Sequence, residues 1–153
     1  MISKNVFNQL LKKGLTIAFS ESMTGGSLAY EMIKNPGSSK VIPGSIVAYN
    51  NEQKMKLLNL SENEFEKYSV VSERIARLMA TSIRALMKTD IGVSVTGNAG
   101  PGIQENTDKV EAWIAIDYQG DITAYNLEFS DFTRLQAMRN TVRFTYEKLS
   151  ERL

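Results

Sequence analysis

Apolar residues recur at helical spacing in two early segments of the chain, with a short strand between them. The first helix includes Val6 to Leu11, and Gly14 stands where a glycine commonly ends a helix. The strand covers Leu15 to Phe19, and a polar turn, Ser20 to Gly26, follows it. A second helix is predicted around Leu28 to Ile33.

The middle of the chain is predicted to be mainly helical. A second strand lies within Val41 to Ala48, and a helix covers Asn50 to Leu58. A short acidic helix follows Ser61, and Ser72 caps a longer helix. The longer helix has one apolar stripe, formed by Ile75, Leu78, Met79, Ile83 and Leu86.

Three strands and a helix are predicted in the last third of the chain. The runs Ile91 to Val95, Val110 to Ile116 and Ile122 to Phe129 have the residue types typical of strands. A turn at Gln119-Gly120-Asp121 connects the last two strands. The final helix begins near Asp131 and carries Leu135, Met138, Val142 and Leu149.

This order of elements predicts the fold class. Helices and strands alternate early in the chain, which favours parallel strands, and two strands are adjacent late, which favours an antiparallel pair. A chain of 153 residues has the length of one ordinary domain. We therefore expect one three-layer α/β/α domain over residues 1–153, with a mixed central sheet.

The composition excludes several classes of function. The chain has no His and no Cys, which removes Ser-His-Asp and Cys-His triads, disulfides and most catalytic zinc sites. Its 18 Lys and Arg balance 17 Asp and Glu, so no strong positive field attracts nucleic acid or anionic lipid. We expect a cytoplasmic protein with no membrane span, no direct nucleic-acid contact, no metal and no cofactor.

Two glycine-rich segments follow predicted strands and are candidates for ligand binding. Ser20 to Gly26 suits an anion at a helix N-terminus, unless its Ser and Thr only cap the helix. Thr96 to Gly102 also follows a buried strand, and the alternative is an ordinary loop. Loops beyond the carboxyl ends of strands can share one crevice in an open α/β sheet. Neither segment matches a P-loop or a dinucleotide motif.

A third cluster offers a serine and a proton acceptor in a chain without histidine. Ser39 follows Pro36-Gly37, and Tyr49 and Lys54 lie at a strand end and about one helical turn later. A Lys whose pKa is lowered by burial, or a Tyr held next to it, can take a proton from a serine. The alternative is a turn at Ser38-Ser39, with the Tyr and the Lys on the surface.

Charged and aromatic residues complete the set of candidates. Glu21 stands out among the carboxylates because it lies inside the first glycine-rich turn. Arg134 and Arg139 near the start of the last helix could clamp a phosphate, or could be ordinary surface residues. Trp113, in the middle of a strand, is expected to fill core.

Most of these candidates fall in five ordered motifs. The motifs are Thr16 to Gly26, Pro36 to Ser39, Gly44 to Lys54, Val71-Ser72-Glu73 and Val95 to Pro101. Their order and spacing resemble the C-terminal domain family of the competence-damage-inducible (CinA-type) proteins, a domain that also occurs alone as nicotinamide mononucleotide deamidase. The resemblance covers nearly the whole chain.

The resemblance implies an amidase that converts a small-molecule nucleotide substrate, nicotinamide mononucleotide, to nicotinic acid mononucleotide and ammonia. It implies that Ser39 is the nucleophile or its close partner, with Tyr49 and Lys54 as the proton-transfer pair. Arg134 or Arg139 would hold the phosphate. The residues implied to line the pocket are Glu21, Ser22, Thr24, Gly25, Gly26, Thr96, Gly97 and Gly100.

Two departures from the family's motifs suggest an altered substrate wall. Met23 stands where the family usually has Cys, and Glu111 stands at a glycine position in the stretch 102–113. They keep open a second function, a catalytically impaired nucleotide-binding or regulatory module associated with the competence or DNA-damage response. A third alternative, suggested only by the family's name, is a partner-binding accessory in DNA uptake or repair. We also expect a homo-oligomer.

Overall fold

The computed structural model describes residues 1–100, 110–129 and 131–153, and its centre is a five-stranded mixed sheet. The order across the sheet is β2-β1-β3-β4-β5. β1 is parallel to β2 and β3, whereas β4 runs antiparallel to both β3 and β5, so the expected mixed sheet is confirmed. The strands are β1 (Ile17–Glu21), β2 (Ile46–Val47), β3 (Ile91–Gly97), β4 (Glu111–Tyr118) and β5 (Asp121–Glu128).

Helices cover both faces of this sheet. Within the described residues they are α1 (Ile2–Lys13), α2 (Ser27–Ile33), α3 (Asn51–Leu58), α4 (Glu62–Lys67), α5 (Glu73–Met87) and α6 (Arg134–Arg152), with a short 3-10 helix at Ser38–Lys40. Helices α1, α2 and α6 share one apolar core, and α5 packs on the other face with the apolar residues that end α3. No helix of the described ranges has the length and apolarity needed to cross a membrane.

Alternate residues of β1 face these two layers. Phe19 packs beside Tyr146 of α6, with ring centroids 6.1 Å apart. Ala18 instead belongs to the cluster that includes Ile75 and Met79 of α5. Because side chains alternate along a strand, Glu21 faces the layer of Phe19, whereas Ser20 faces α5.

The parallel strands give the sheet two distinct edges. We call the end at which β1, β2 and β3 finish the carboxyl edge, and the end at which they begin the amino edge. Helix α2 starts at the carboxyl edge, where the N–H of Leu28 donates to Glu21. The chain has reached the amino edge by Val41, whose carbonyl accepts from the N–H of Ile17 at 2.7 Å.

Local signals in the sequence locate most elements, and four details differ from the expectations. Gly14 adopts the left-handed conformation that ends α1, and the Ser72 hydroxyl accepts from the N–H of Ile75 at the start of α5. However, Leu86 and Leu135 are each 52% exposed and do not belong to the core. The final helix begins at Arg134, later than expected, and β2 has only two residues.

Candidate active site

Lys54 is the buried cation of the carboxyl edge. It lies in α3, whose first turn is fixed because the Asn50 side chain accepts from the N–H of Gln53 at 2.9 Å. The Lys54 side chain is only 3% exposed, and its Nζ donates to Thr96 Oγ1 at 3.4 Å. Burial lowers the pKa of this amine from 10.5 to about 8, because the charged form loses its hydration. A neutral amine is therefore accessible near physiological pH.

Thr96, near the end of β3, orients the contact with Lys54. Its hydroxyl donates to the carbonyl of Val70 at 2.7 Å, so its oxygen lone pairs remain to accept from the amine. Thr96 is fully buried and fixed on a strand. The contact thus gives the Lys54 amine a defined position above the sheet, on the side of α5.

Ser22 follows β1 directly, at the same edge of the sheet as Thr96 near the end of β3. The parallel ladder between β1 and β3 ends with the pair Ser20 and Ser94, two residues before Ser22 and Thr96 respectively. Neighbouring strands are about 4.8 Å apart, and residues two apart share a face. From this alternation we expect Ser22 on the face that carries Lys54, and its side chain is buried, with 3% of the residue exposed.

The turn after Ser22 is tight because of two glycines. Gly25 and Gly26 have φ angles of 62° and 98°, and the N–H of Gly25 donates to the Ser22 carbonyl at 3.0 Å. These conformations carry little strain only in glycine. The turn leads directly into α2, so backbone N–H groups and the positive end of a helix lie close to Ser22.

Glu21 and Thr24 serve the fold rather than the pocket wall implied for them. The Glu21 carboxylate is fully buried on the other face of the sheet from Lys54. It accepts from the Thr24 hydroxyl at 2.7 Å and from the N–H groups of Leu28 and Ala29 at 2.9 and 3.0 Å. The carboxylate thereby satisfies the first donors of α2, which have no partner within the helix.

Gly97 is required by close packing. A Cβ atom at Gly97 would lie 2.5 Å from Met23 Sδ and 2.8 Å from the carbonyl oxygen of Glu111. Met23 itself is 2% exposed and belongs to the core. The departure at Met23 is thus accommodated by a glycine on the neighbouring strand.

Arg134 connects two segments of the carboxyl edge. Its Nη2 donates to the Tyr49 hydroxyl at 2.5 Å, and its Nη1 donates to the carbonyl of Gly100 at 2.8 Å. Arg139 lies on another face of α6, where it lines a groove of about 460 Å³ between α1, α2 and α6. Among the residues that the structure describes, Arg134 forms hydrogen bonds with other candidate residues of this edge and Arg139 does not.

The structure separates Ser39 from the other two members of the implied trio, and this corrects the sequence interpretation. Ser39 lies in the 3-10 helix that precedes Val41, at the amino edge, and is exposed. Thr96 lies five residues into β3 from that edge, which corresponds to roughly 16 Å. Within the chain, Ser39 therefore does not meet Lys54. The hydrogen bonds pair Lys54 with Thr96 and Tyr49 with Arg134.

Other candidates lie beside the site or outside the described residues. Glu111 lies at the start of β4, where its carboxylate accepts from Asn126 at 2.9 Å. Trp113 packs partly buried against Ala76 and Ala80 of α5, as expected for core. The loop positions 101–109 lie outside the described residues. In the part of the chain that is described, no group of three acidic, His or Cys residues is arranged to hold a metal ion.

From the sequence, Ser22 was predicted only to line the pocket. The signal that identifies it is positional, because a residue that directly follows a parallel strand lies at the ligand-binding edge. Asn98 was also missed. It is 6% exposed, and its side-chain oxygen accepts from the N–H of Gly100 at 2.9 Å, which shapes the segment that Arg134 contacts.

The whole chain matches the family model of the CinA C-terminal domain, over residues 1–153. A CinA-like protein of Dictyoglomus turgidum is 42% identical over 138 residues, which are 90% of this chain and 32% of that relative. The chain thus spans about a third of the length of this curated relative.

Solved structures agree with the match to the family. A CinA superfamily protein of Klebsiella pneumoniae has a TM-score of 0.93 at 26% identity, covering 98% of this chain and 94% of that one. A competence/damage inducible protein of Agrobacterium tumefaciens has a TM-score of 0.92 at 26% identity, covering 98% and 92%. The fold is therefore common to these proteins over nearly the full length of each chain.

Proposed function

Because the chain belongs to the CinA C-terminal domain family, we propose that it is an amidase that hydrolyses nicotinamide mononucleotide to nicotinic acid mononucleotide and ammonia. The observation that carries the proposal is the buried amine of Lys54, with a pKa of about 8, on the same face and edge of the sheet as Ser22. A serine beside a neutral amine is a known solution for acyl transfer without histidine.

The nucleophile in this proposal is Ser22 rather than Ser39. Ser22 directly follows β1, and Thr96, which accepts from Lys54, lies near the end of the adjacent strand β3. Ser39 is exposed at the amino edge, away from Lys54. A general base must lie within hydrogen-bond reach of the proton it takes, directly or through one water.

The first half of the reaction forms an ester with the enzyme. The Ser22 oxygen attacks the amide carbon, and its proton passes to the neutral amine of Lys54. N–H groups of the turn that follows Ser22 stabilise the negative charge on the amide oxygen. The bond from carbon to nitrogen then breaks, and the Lys54 ammonium returns the proton to the leaving group, which departs as ammonia.

The second half of the reaction regenerates Ser22. A water molecule attacks the ester carbon, Lys54 again accepts a proton, and the Ser22 oxygen leaves and is reprotonated. The product is the carboxylic acid. Since each half uses the amine first as base and then as acid, a pKa near the working pH favours both steps.

Arg134 is the group proposed to bind the substrate phosphate. Its guanidinium lies at the carboxyl edge and presents donors that match a phosphate in geometry and charge. Arg139 faces the groove between α1, α2 and α6 instead. We therefore expect Arg134, and not Arg139, to govern affinity for the nucleotide.

The proposed function is tested by incubating the protein with nicotinamide mononucleotide and measuring ammonia and nicotinic acid mononucleotide. We expect turnover in the wild type and in Ser39→Ala, and loss of turnover in Ser22→Ala. Ser39→Ala is the matched control, because it removes the same hydroxyl from the opposite edge. Full activity in Ser22→Ala would contradict the assignment of the nucleophile, and no turnover in the wild type would contradict the amidase.

The second candidate function is a nucleotide-binding module without turnover. Met23 in place of the usual Cys and Glu111 in place of the usual Gly favour it, because both depart from the family's motifs, at the residue after Ser22 and at the start of β4. This candidate predicts that nicotinamide mononucleotide raises the melting temperature while no ammonia is released. The same incubation therefore separates the two functions.

A further inference from the structure

A groove of about 460 Å³ lies between α1, α2 and α6, on the face of the sheet opposite to Lys54. Small-molecule sites in proteins have volumes of about 300–1,000 Å³ and mostly apolar linings. The apolar part of this lining comes from Met1, Ile2, Leu135, Met138, Val142 and the ring of Tyr146. Among the described residues, none of those proposed for the amide reaction lines the groove, so it is a separate concave surface.

The groove follows the length of α6. The residues of α6 that line it extend from Leu135 to Tyr146, which corresponds to roughly 16 Å of helix. On α2, the lining residues are Ser27, Tyr30 and Glu31, and residues three and four apart share one face of a helix. An elongated surface between helices suits an extended chain better than a flat ring system.

The groove has a fixed base and an exposed apolar rim. Tyr146, at the base, is 1% exposed, and its hydroxyl donates to the carbonyl of Leu28 at 2.6 Å. Leu135 and Tyr30 are 52% and 65% exposed. Met138 adds a flexible thioether, which adapts to apolar ligands of different shape. The base is thus preformed, while the rim keeps apolar surface that a ligand can cover.

Arg139 is the unpaired cation of this groove. It is exposed, and it has neither a hydrogen bond nor an ion pair with another described residue. Arg143, one helical turn later, is instead paired within α6, with Glu147 at 3.5 Å and with the side-chain oxygen of Asn140 at 2.6 Å. The guanidinium of Arg139 therefore has its donors available for a ligand.

Glu31, the acidic residue among the described residues of the lining, is already paired. Its Oε2 lies 2.8 Å from Lys34 Nζ and accepts from the Ser3 hydroxyl at 2.7 Å. Glu31 thus offers little uncompensated negative charge to a cationic ligand, and Arg139 repels such a ligand. The charges of the groove therefore favour an anion over a cation.

We propose that this groove binds a medium-chain carboxylate, whose acyl chain lies along Leu135, Met138 and Val142 and whose carboxylate binds Arg139. The chain gains free energy because its methylenes leave water. The carboxylate matches a guanidinium through two parallel charge-assisted hydrogen bonds. This site is separate from the proposed site of the amide reaction, which lies on the other face of the sheet.

Titration calorimetry at pH 7 tests the ligand class with decanoate, hexanoate and decyltrimethylammonium, each below the concentration at which it forms micelles. We expect decanoate to bind at one site per chain. Each buried methylene raises affinity about twofold to fourfold, so hexanoate should bind at least about tenfold more weakly. The cation should also bind at least about tenfold more weakly. Equal affinity for decanoate and the cation, or no binding of decanoate, would overturn the proposal.

Two matched variants test the role of Arg139. Arg139→Gln should bind decanoate at least about fivefold more weakly, because the charge-assisted hydrogen bonds are lost. Arg74→Gln removes another exposed guanidinium, from α5 on the other face of the sheet, and should bind decanoate as the wild type does. An Arg139→Gln variant with the affinity of the wild type would overturn the position assigned to the carboxylate.

The methyl groups of methionine locate the bound chain without any substitution. Met138 lines the groove, whereas Met79 is fully buried in the core on the other face of the sheet. In protein with isotope-labelled methionine methyl groups, decanoate should shift the NMR signal of Met138 and leave that of Met79 unchanged. Binding of decanoate with no change at Met138 would place the chain elsewhere and would count against the groove.

A second copy of the chain is the other occupant that these experiments must distinguish. Sedimentation velocity of the wild type with and without decanoate makes the distinction. We expect decanoate to leave the oligomeric state unchanged. Dissociation of an oligomer by decanoate would assign the groove to an interface between copies and would overturn the proposal.

The outcomes are independent of those that test the proposed function. Decanoate binding is measured without turnover, and ammonia release is measured without decanoate. Arg139→Gln should retain ammonia release, because Arg134 is the group proposed to bind the phosphate. Decanoate binding without ammonia release would reject only the amidase, and ammonia release without decanoate binding would reject only this inference.

Discussion

The two edges of the sheet differ in how completely the hydrogen bonds of their polar side chains are satisfied. At the amino edge, the Asp90 carboxylate accepts from the N–H and the hydroxyl of Thr16 at 2.9 and 3.0 Å and from Gln119 at 3.3 Å. At the carboxyl edge, the buried Lys54 amine has one hydrogen bond among the described residues, at 3.4 Å. An ammonium has three protons to donate.

This difference in hydrogen bonding indicates which polar groups serve the fold and which are available for a reaction. A polar group whose hydrogen bonds are satisfied stabilises the fold, whereas a buried cation with a single long contact lowers stability. Glu21 shows that the contrast is not a matter of the edge alone, because its carboxylate lies at the carboxyl edge with three donors and holds α2. The under-satisfied amine of Lys54 therefore lies on the α5 face of the carboxyl edge, opposite the satisfied carboxylate of Glu21.

The strongest test of this contrast is the substitution Lys54→Met. We expect amidase activity to fall at least about 1,000-fold, because the proposed base is lost. The free energy of unfolding at pH 7 should stay the same or rise, because a buried charge is replaced by an apolar side chain of similar length. Activity assays and denaturant unfolding of the same preparations measure both. A variant that is markedly less stable would indicate that Lys54 serves the fold.

The pH dependence of activity tests the role of Lys54 as the base. Because the pKa of Lys54 is about 8, the fraction of its amine that is neutral rises with pH up to that value. We therefore expect kcat/KM to rise about tenfold per pH unit below pH 8 and to level off above it. Between about 8 and 10.5 the unfolded chain binds a proton that the folded chain does not, so Lys54 makes the free energy of unfolding rise with pH there. Lys54→Met should lack this rise. A pH-independent kcat/KM between 6 and 8 would contradict the assignment.

Substitution at the amino edge should lower the free energy of unfolding, in contrast to Lys54→Met, and by a small amount. Hydrogen bonds from Thr16 lower the pKa of Asp90 below 3.8, so its contribution to stability is complete above that pH and is lost as the pH falls through the lowered value. Asp90→Asn should therefore reduce the free energy of unfolding at pH 7 by about 1 kcal/mol, with amidase activity retained. Chemical denaturation at pH 7 and at pH 2.5 measures this, since the loss should shrink in acid.

Most of the fold was predictable because its signals are local. Ser72 caps α5 through a hydrogen bond within one helical turn, and the turn at Gln119-Gly120 has the two positive φ angles, 52° and 95°, that suit a tight hairpin. The prediction that Leu86 belongs to the apolar stripe of α5 was wrong, because periodicity locates a stripe but does not show how far along the last turn it stays buried, and Leu86 is 52% exposed. The length of β2 was not predictable either, because the composition of the stretch Val41 to Ala48 does not show which of its residues pair with β1.

The candidate site was predictable only in part, because it depends on which edge each loop reaches. Lys54 and Tyr49 follow β2, and Thr96 ends β3, so the rule for carboxyl edges identifies them. Ser39 lies between a helix and a strand, and such a connection leads back to the amino edge. Glu21 could not be assigned from composition, because whether a carboxylate faces a ligand or a helix end depends on its position in the strand.

The pairing of β1 with β3 has a consequence for the order of folding. The partners Thr16 and Asp90, where this pairing begins, are 74 residues apart, whereas β4 and β5 are joined by a tight turn. Closing a long loop has a higher entropic cost than closing a short one, so the hairpin can form early and the pairing of β1 with β3 must come later. During synthesis, Lys54 leaves the ribosome before its partner Thr96 exists. The chemically active face is thus assembled only when the sheet closes, and no fragment that ends before β3 can contain it.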